Sequence, residues 1–263
     1  MKLLIMMMSI LGGWLAAEES GHARVELWLG KAQAQADGSR MIPAVLSMHY
    51  EKGWHGYWVN PGEGGVKTTL RWQLPTGVEV SELMFPVPHR AMTGGLSCYG
   101  YEGEVLMALE IRAQASVDLQ TEISGELRWL ACDEKSCVPG KLRLVAKLAE
   151  SVDDVSKEQK ILATHRSMPQ PAPELRLMVR EEKNEVILNL EGADDWALEG
   201  SEFFPLTEQA LDPKQALRWS KTATGYEAKA IKNEYAEGPL TELKLLIVPP
   251  QPRVARWIEW KKS

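Results

Sequence analysis

Cysteine is scarce in this sequence, with three residues among 263. Three cysteines are too few for a fold built on many disulfides, and because the number is odd, one thiol is left over if the other two pair. An excess of basic residues is also absent: the formal net charge is -6, and no segment concentrates Lys and Arg. The composition therefore argues against a nucleic-acid-binding protein.

Motifs of several enzyme classes are missing as well. No serine lies in a nucleophile-elbow sequence, and no glycine-rich loop has a phosphate-binding pattern. His55 and His89 are lone histidines without partners at metal-ligand spacing, so we expect no metal site. The acidic pairs Asp153–Asp154 and Asp194–Asp195 are typical of solvated surface. The sequence thus gives no support for hydrolase chemistry, and it indicates no cofactor.

The one long apolar run is at the N-terminus. Lys2 supplies a basic start, the segment from Leu3 to Leu15 is almost entirely apolar, and Ala16–Ala17 follow. This order is typical of a secretory signal peptide, which we place at residues 1–17. An uncleaved membrane anchor is the alternative, but the run is shorter than the ~20 residues that a spanning helix needs. We therefore expect an exported, periplasmic protein.

The remainder has the composition of an ordinary globular chain, with 25% charged and 44% hydrophobic residues. Val25, Leu27 and Leu29 alternate with polar neighbours, which is the pattern of a half-buried strand. Similar short apolar segments follow, separated by turn formers such as Asn60–Pro61–Gly62 and Pro139–Gly140. Many short strands without alternating helices predict an all-β fold built as an antiparallel β-sandwich.

Changes of pattern divide the chain into four parts. A first β-sandwich domain covers residues 22–150, and a helix with a proline-rich linker covers residues 151–173. A second, smaller β domain covers residues 174–250, and a C-terminal tail covers residues 251–263. The linker is indicated by Pro169, Pro171 and Pro173, because regular elements do not tolerate prolines at this density. In the tail, Trp257 and Trp260 are available for packing.

The most informative segment runs from Trp129 to Gly140 and contains two of the cysteines. Cys132 and Cys137 are separated by four residues, and the flanking sequence is typical of strands. A hairpin or a strand-end bulge brings Cα atoms at this spacing close to the roughly 4.4–6.8 Å that is usual for a disulfide. In an oxidising compartment the pair is either a structural bridge or a redox centre that exchanges with partners. The residue types alone leave both interpretations open.

The third cysteine, Cys98, lies in the glycine-rich segment 93–101, which we expect to be a flexible or tightly turned loop. Two interpretations remain: a buried free cysteine that acts as a small apolar residue, or part of a loop that covers the Cys132–Cys137 pair. Upstream, the aromatic segment 53–62 favours packing within a sandwich, with a carbohydrate-stacking surface as the alternative.

Four motifs occur in an order that resembles one family, the N-terminal periplasmic domain of the thiol:disulfide interchange protein DsbD, and within it the branch of the copper-tolerance-associated protein ScsB. They are GWHGYWVNPGEGG at residues 53–65, Phe85–Pro86–Val87–Pro88, Tyr99–Gly100–Tyr101 and the segment from Trp129 to Gly140. The resemblance covers residues 25–148. A weaker similarity at Glu202–Phe203–Phe204–Pro205 looks like the second β domain of the ScsB-like branch.

The resemblance implies an immunoglobulin-like fold and a function in thiol–disulfide exchange, in which electrons pass from a membrane partner to periplasmic thioredoxin-like oxidoreductases. By position, Cys132 and Cys137 match the redox pair of the family, and we assign to Cys137 the mixed disulfide with a partner. Cys98, Tyr99 and Tyr101 match the region that caps the family's active site, which makes them candidates for gating access to the pair.

Two departures limit what the resemblance implies. The spacer between the cysteines is shorter than in the best-known members, and the sequence shows neither a transmembrane electron conduit nor a thioredoxin-like domain. A reductive role therefore requires a separate membrane electron-transfer protein. The alternative function is a non-catalytic binding or scaffold module of the envelope with a structural disulfide. Cu(I) handling by the three thiols is a further alternative, which requires Cys98 to lie beside the reduced pair.

Overall fold

A computed structural model describes residues 18–193, 196, 198, 200–250 and 253–262. The signal peptide predicted at residues 1–17 lies outside the described residues, and so does the pair Asp194–Asp195. The described residues form strands and one helix, which confirms the predicted all-β class. Across these same ranges, no helix has the length and apolar character needed to cross a membrane.

The first domain consists of two antiparallel sheets. Its strands are β1 (Glu18–Ser20), β2 (Ala23–Leu29), β3 (Gln33–Ala34), β4 (Arg40–Tyr50), β5 (His55–Gly62), β6 (Thr69–Gln73), β7 (Val78–Val80), β8 (His89–Thr93), β9 (Leu96–Glu102), β10 (Glu104–Ala113), β11 (Glu122–Cys132) and β12 (Cys137–Lys147). The first sheet has the order β1-β2-β4-β10-β7, with β3 also paired to β4. The second sheet has the order β12-β11-β5-β9-β8, with β6 also paired to β11.

The two sheets enclose one apolar core. Buried and more exposed positions alternate along the strands, as in β11, where Ile123, Leu127 and Trp129 are buried between more accessible neighbours. Successive side chains point to opposite faces of a strand, so this alternation places one face of each sheet inside the sandwich. Each Leu- or Ile-sized side chain that is fully buried stabilises the fold by about 1.5–3 kcal/mol.

The predicted helix is α1 (Val155–Ser167), which packs on the first sheet. The Asp154 side chain caps its N-terminus by accepting a hydrogen bond from the Ser156 N–H at 2.7 Å. In the middle of the helix, Ile161 is fully buried in a small cluster with Trp28 of β2. Because this cluster is separate from the main core, the first sheet is covered on both faces where α1 lies against it.

The second domain is a smaller pair of four-stranded sheets. Its strands are β13 (Gln170–Pro171), β14 (Arg176–Glu182), β15 (Glu185–Glu191), β16 (Glu202–Pro205), β17 (Trp219–Lys221), β18 (Tyr226–Ile231), β19 (Glu242–Val248) and β20 (Arg256–Lys261). The third sheet has the order β13-β20-β19-β16 and the fourth the order β14-β15-β18-β17. All pairings are antiparallel except that of β13 with β20, which is parallel.

The segment expected to be a C-terminal tail contains the strand β20. It pairs with β19 on one side and with the two-residue strand β13 of the proline-rich linker on the other. Ile258 of β20 is buried in the core of the second domain, whereas Trp257 packs against the core of the first. The strand forms because both neighbours supply backbone hydrogen-bond partners, and such partners leave little pattern in the sequence of the strand itself.

The two domains share apolar contacts. Phe204 and Leu246 of the second domain belong to the core cluster of the first. The Phe204 ring packs edge-on against Trp58 of β5 and Tyr99 of β9, with ring centroids 6.0 Å and 5.5 Å away. The second domain therefore sits against β5, which is next to the cysteine-bearing hairpin in the second sheet, and against β9, the strand after it.

Candidate redox site

Cys132 and Cys137 form a disulfide at the end of the β11–β12 hairpin. Cys132 is the last residue of β11 and Cys137 the first residue of β12, and the two stand directly opposite each other in the strand register. Their Cα atoms are 4.1 Å apart. Because the paired strands hold both residues, reduction of the bridge leaves the two thiols close together.

The two ends of the disulfide differ in exposure. Cys132 is fully buried, with 0% of its surface accessible, whereas Cys137 is exposed to solvent. An incoming thiolate needs a path to the sulfur that it attacks, so the exposure favours Cys137 as the end at which a second protein approaches. The buried Cys132 sulfur has no comparable path from solvent.

A four-residue turn, residues 133–136, closes the hairpin. The Asp133 Oδ1 atom accepts hydrogen bonds from the Lys135 N–H at 2.8 Å and from the Ser136 N–H at 2.6 Å. The Asp133 N–H donates to the Ser136 carbonyl at 2.9 Å. The two bonds from backbone N–H groups are the main reason that the pKa of Asp133 is lowered. The carboxylate thus fixes the short spacer between the cysteines in one conformation.

His55 lies beside the buried end of the disulfide. It is the first residue of β5 and the register partner of Cys132. Its ring is buried, and its Nε2 atom is 2.7 Å from the Thr93 hydroxyl oxygen at the end of β8. Burial lowers the pKa of His55, against the opposite influence of the Glu102 and Asp133 carboxylates. A neutral imidazole therefore connects β8 to the strand next to Cys132.

Cys98 lies on the same side of β9 as the disulfide. It is buried, and with Tyr57 and Cys132 it forms a small cluster separate from the main core. Its Sγ atom donates weak hydrogen bonds to the carbonyls of Gly64 and Leu96, both at 3.5 Å. Burial is the largest influence on the Cys98 thiol and raises its pKa. The free cysteine is thus a protonated, largely apolar neighbour of the pair.

Tyr99 and Tyr101, the other two predicted gating residues, lie in the sandwich core. They flank Gly100 on β9, and their positions alternate with that of Cys98, so they point to the opposite face of the strand. The Tyr101 hydroxyl donates to the Pro86 carbonyl at 2.8 Å, which joins two of the four sequence motifs. The structure therefore brings Cys98 to the pair and places the two tyrosines behind the strand that carries it.

The segment expected to be a loop around Cys98 is a β-hairpin. Strands β8 and β9 pair up to Thr93 and Leu96, and only Gly94 and Gly95 remain between them. Both glycines have positive φ, 56° and 85°, which is the conformation that a two-residue hairpin turn of type I′ requires at both positions. The two glycines thus close a tight turn, and the residues after them continue the sheet.

The glycine-rich segment after β5 wraps around Tyr57. Gly65 has a φ of 106°, and a Cβ atom there would lie 2.2 Å from the Tyr57 ring, so no other residue fits. In the same segment, the Glu63 carboxylate accepts a hydrogen bond from the Ser97 N–H at 2.7 Å and pairs with Lys214 of the second domain at 2.6 Å. The bond to Lys214 is the main reason that the pKa of Glu63 is lowered.

Arg90 on β8 makes a further link between the domains. Its guanidinium donates hydrogen bonds to the carbonyls of Pro213 at 2.9 Å and Phe203 at 3.2 Å. It also lies over the rings of Tyr99 and Phe204, 5.3 Å and 5.2 Å from their centroids. Together with the contact of Glu63, these bonds fasten the second domain to the strands that surround Cys98.

Residues 30–149 match a family model described as thiol:disulfide interchange protein DsbD, N-terminal. This part of the chain is similar to the DsbD N-terminal domain family. The resemblance indicated by the four sequence motifs is thereby confirmed. The DsbD-type domain corresponds to the first β-sandwich, and it contains all three cysteines.

One solved structure is similar to this chain over both domains. The crystal structure of the N-terminal periplasmic domain of ScsB from Proteus mirabilis matches with a TM-score of 0.69 and 18% identity, over 95% of this chain and 97% of that chain. At this identity the match shows a shared fold, and it confirms the predicted fold class. The yeast GGA1 GAE domain matches with a TM-score of only 0.30 and 12% identity, over 49% of this chain and 94% of that one. A comparison with curated proteins gave no match.

Three residues of the site were not found by reasoning from the sequence: His55, Glu63 and Lys214. His55 and Glu63 lie within the first of the four motifs, and their presence in that motif could have indicated that they lie near the site. Lys214 carries no comparable signal, because its position depends on how the second domain packs. In the aromatic part of the motif, Trp58 is buried in the sandwich core, whereas Tyr57 is buried in the separate cluster with Cys98 and Cys132.

Proposed function

We propose that this chain is a periplasmic thiol–disulfide exchange module in which Cys132 and Cys137 alternate between a disulfide and a dithiol. The observation that carries the proposal is the pair itself, placed at facing ends of a hairpin in a DsbD-family domain, with one cysteine buried and the other exposed. Residues 1–17 act as the signal peptide that exports the chain.

In the dithiol form, Cys137 loses its proton to solvent and its thiolate attacks one sulfur of a partner's disulfide. A bond forms between Cys137 and the partner, the partner's own disulfide breaks, and its second sulfur leaves as a thiolate. The Cys132 thiolate then attacks the Cys137 sulfur, which restores the Cys132–Cys137 bridge and releases the partner's other sulfur. Two electrons pass to the partner, whose two thiolates take up protons from water.

Reduction of the Cys132–Cys137 disulfide back to the dithiol proceeds through the same sulfur, Cys137. A thiolate of a separate membrane electron-transfer protein attacks Cys137, Cys132 leaves as a thiolate, and a second thiol of the reductase resolves the mixed disulfide. The module then carries a dithiol to the next envelope oxidoreductase. The partners on this second side are thioredoxin-like proteins, whose paired cysteines are the chemistry that such exchange requires.

Access to the pair is limited by the β8–β9 hairpin in this proposal. Cys98 contributes to the cluster that contains Cys132, so attack from that side is blocked while β9 is in place. Tyr99 and Tyr101 support the strand from the core side. Their part in gating is therefore to hold β9, and Cys98 is the residue that shields the disulfide.

The first test is whether the bridge equilibrates with thiols while the domain stays folded. The chain is incubated in graded glutathione and dithiothreitol buffers, free thiols are alkylated, and each cysteine is mapped by mass spectrometry. An exchange pair has a reduction potential above about −300 mV, and a structural bridge lies below it. A bridge that survives until the domain unfolds would support the scaffold function in place of the exchange function.

A trapping experiment tests the roles of the two sulfurs. Cys132→Ser leaves Cys137 without its resolving partner, so this variant should accumulate mixed disulfides with thioredoxin-like proteins, visible on non-reducing gels. Cys137→Ser should trap none, and Cys98→Ser is the matched control with an intact pair. Accumulation of mixed disulfides by Cys137→Ser would show that the assignment of the attacking sulfur is wrong.

A further inference from the structure

Large apolar side chains are exposed at the tip of the β8–β9 hairpin. Met92 and Leu96 stand on either side of the turn, with 60% and 44% of their surfaces accessible. The same tip contacts the redox site. The Thr93 hydroxyl oxygen lies 2.7 Å from His55 Nε2, and the Leu96 carbonyl accepts a hydrogen bond from the Cys98 thiol. A protein that approaches the disulfide from this side therefore meets these two side chains.

The second domain continues this surface. Ile231 and Tyr235 are exposed, and with Glu63 and Lys214 they line one cleft between the domains. Val66, also exposed, follows closely after Glu63 in the chain. The 2.6 Å ion pair between Glu63 and Lys214 joins the two sides. We call the five exposed apolar residues the apolar rim: Val66, Met92, Leu96, Ile231 and Tyr235.

The concentration of these residues sets the rim apart from the rest of the surface. Nine large hydrophobic side chains are exposed among the described residues, and five of them belong to the rim. Clustered exposed apolar groups mark places where another molecule binds. Transient redox encounters bury less than about 1,200 Å² in total, so a surface of a few large side chains is sufficient for one.

We propose that the oxidoreductase that exchanges with Cys137 docks on both domains at once, seated on the apolar rim. The inference rests on the proposed function, because the occupant is identified by the chemistry of the site beside the rim. Disulfide exchange requires the partner's sulfur to reach bonding distance, ~2 Å, from an exposed sulfur of this chain. A thioredoxin-like protein with apolar groups around its own accessible cysteine meets that requirement. The second domain thus contributes to partner recognition.

The test compares exchange with a protein and exchange with a small thiol. The full chain in its dithiol form is mixed with a panel of oxidised thioredoxin-fold oxidoreductases, and the fastest of them with the wild type becomes the probe. Reduction of the Cys132–Cys137 bridge by dithiothreitol is the reference that needs no docking. We expect Met92→Ser with Leu96→Ser, and separately Ile231→Ser with Tyr235→Ser, to slow the protein reaction about tenfold. The second pair lies outside the β8–β9 hairpin and should leave the dithiothreitol rate unchanged.

The matched control is Val155→Ser with Leu162→Ser, which removes two exposed apolar side chains from α1 on the first sheet. Thermal unfolding shows that each variant is folded. An unchanged protein rate in the Ile231→Ser, Tyr235→Ser variant would overturn docking on both domains, as would equal slowing by the control. A bridge that dithiothreitol reduces but no oxidoreductase of the panel oxidises again would instead count against the proposed function.

Discussion

His55 shows how one buried side chain connects the redox site to the stability of the domain. Burial lowers its pKa below the ordinary 6.5, so the unfolded chain takes up a proton at this position at a higher pH than the folded chain does. The stabilising contribution is complete above about pH 6.5 and is lost as the pH falls from there towards the pKa of the folded state.

We therefore expect the free energy of unfolding of the wild type to decrease from about pH 7 to pH 5, and to decrease less in His55→Gln. Urea denaturation at several pH values measures the difference. The exposed His89 provides the control, since His89→Gln should follow the wild-type curve. Parallel curves for wild type and His55→Gln would contradict this account of the buried imidazole.

At the same scale, the cysteines were predictable and their neighbours were not. The spacing of Cys132 and Cys137, with strand-like flanks, is sufficient to predict a pair that a hairpin holds together. The proximity of His55 depends on the register between β5 and β11, which the sequence does not encode locally. The side to which Cys98 points depends on the phase of β9, and that phase follows from a turn of only two glycines.

The β11–β12 hairpin is the element that determines how readily the disulfide closes. Asp133 orders the turn by accepting bonds from Lys135 and Ser136, and this order keeps the two cysteines opposite each other. In Asp133→Ala the turn becomes more mobile, so the reduced cysteines meet less often. We expect a larger dithiol fraction than in the wild type at the same dithiothreitol concentration, together with a lower Tm.

Quantitative alkylation in graded dithiothreitol buffers measures this shift. Glu134→Ala, in the same turn, is the matched control and should leave the dithiol fraction close to that of the wild type. A fraction unchanged by Asp133→Ala would mean that the strand pairing alone determines closure of the ring.

Among the elements, those with regular alternation were predictable and those that depend on a neighbour were not. In the first domain, β2, β4, β6, β10, β11, β12 and the helix α1 follow from apolar patterns in their own sequences, whereas β9 forms in a segment expected to be a loop. Strand β20 exists because β19 and β13 flank it, and the two-residue β13 interrupts a segment that its prolines mark as a linker. The pairing of β13 with β20 joins two segments that lie far apart in the sequence.

At the scale of the whole molecule, Phe204 is the residue that makes the two domains depend on each other. It is buried against Trp58 and Tyr99. We expect Phe204→Ala to lower the free energy of unfolding by about 3–5 kcal/mol, because it leaves a cavity in the core that both domains contribute to. It should also accelerate labelling of Cys98 by a thiol reagent, since β9 loses support.

Denaturation in urea and the rate of Cys98 alkylation in the folded protein are the two measurements. Phe203→Ala is the matched control: Phe203 is the neighbouring residue on β16 but is buried in the core of the second domain. It should lower stability without a comparable increase in labelling. Equal labelling rates in the two variants would show that the second domain does not hold β9.

The prolines and the change of pattern predict a division into two β domains. They do not predict a common core, because that core depends on contacts of Phe204 with residues of β5 and β9 that are distant in sequence. A prediction made for each domain separately assigns every apolar residue to the core of its own domain. It therefore misses a side chain of the second domain that packs in the core of the first.

Because of the shared core, the end of the family match and the end of the hydrophobic core fall at different places in the chain. The match to the family model ends at residue 149, but the side chains that complete the hydrophobic core of that segment include Phe204, Leu246 and Ala255. A recombinant fragment that ends at residue 149 would expose apolar core side chains behind Cys98 and would be prone to self-association. Measurements on such a fragment would report on its aggregation. The chain with both domains is therefore the unit to express and to compare with relatives.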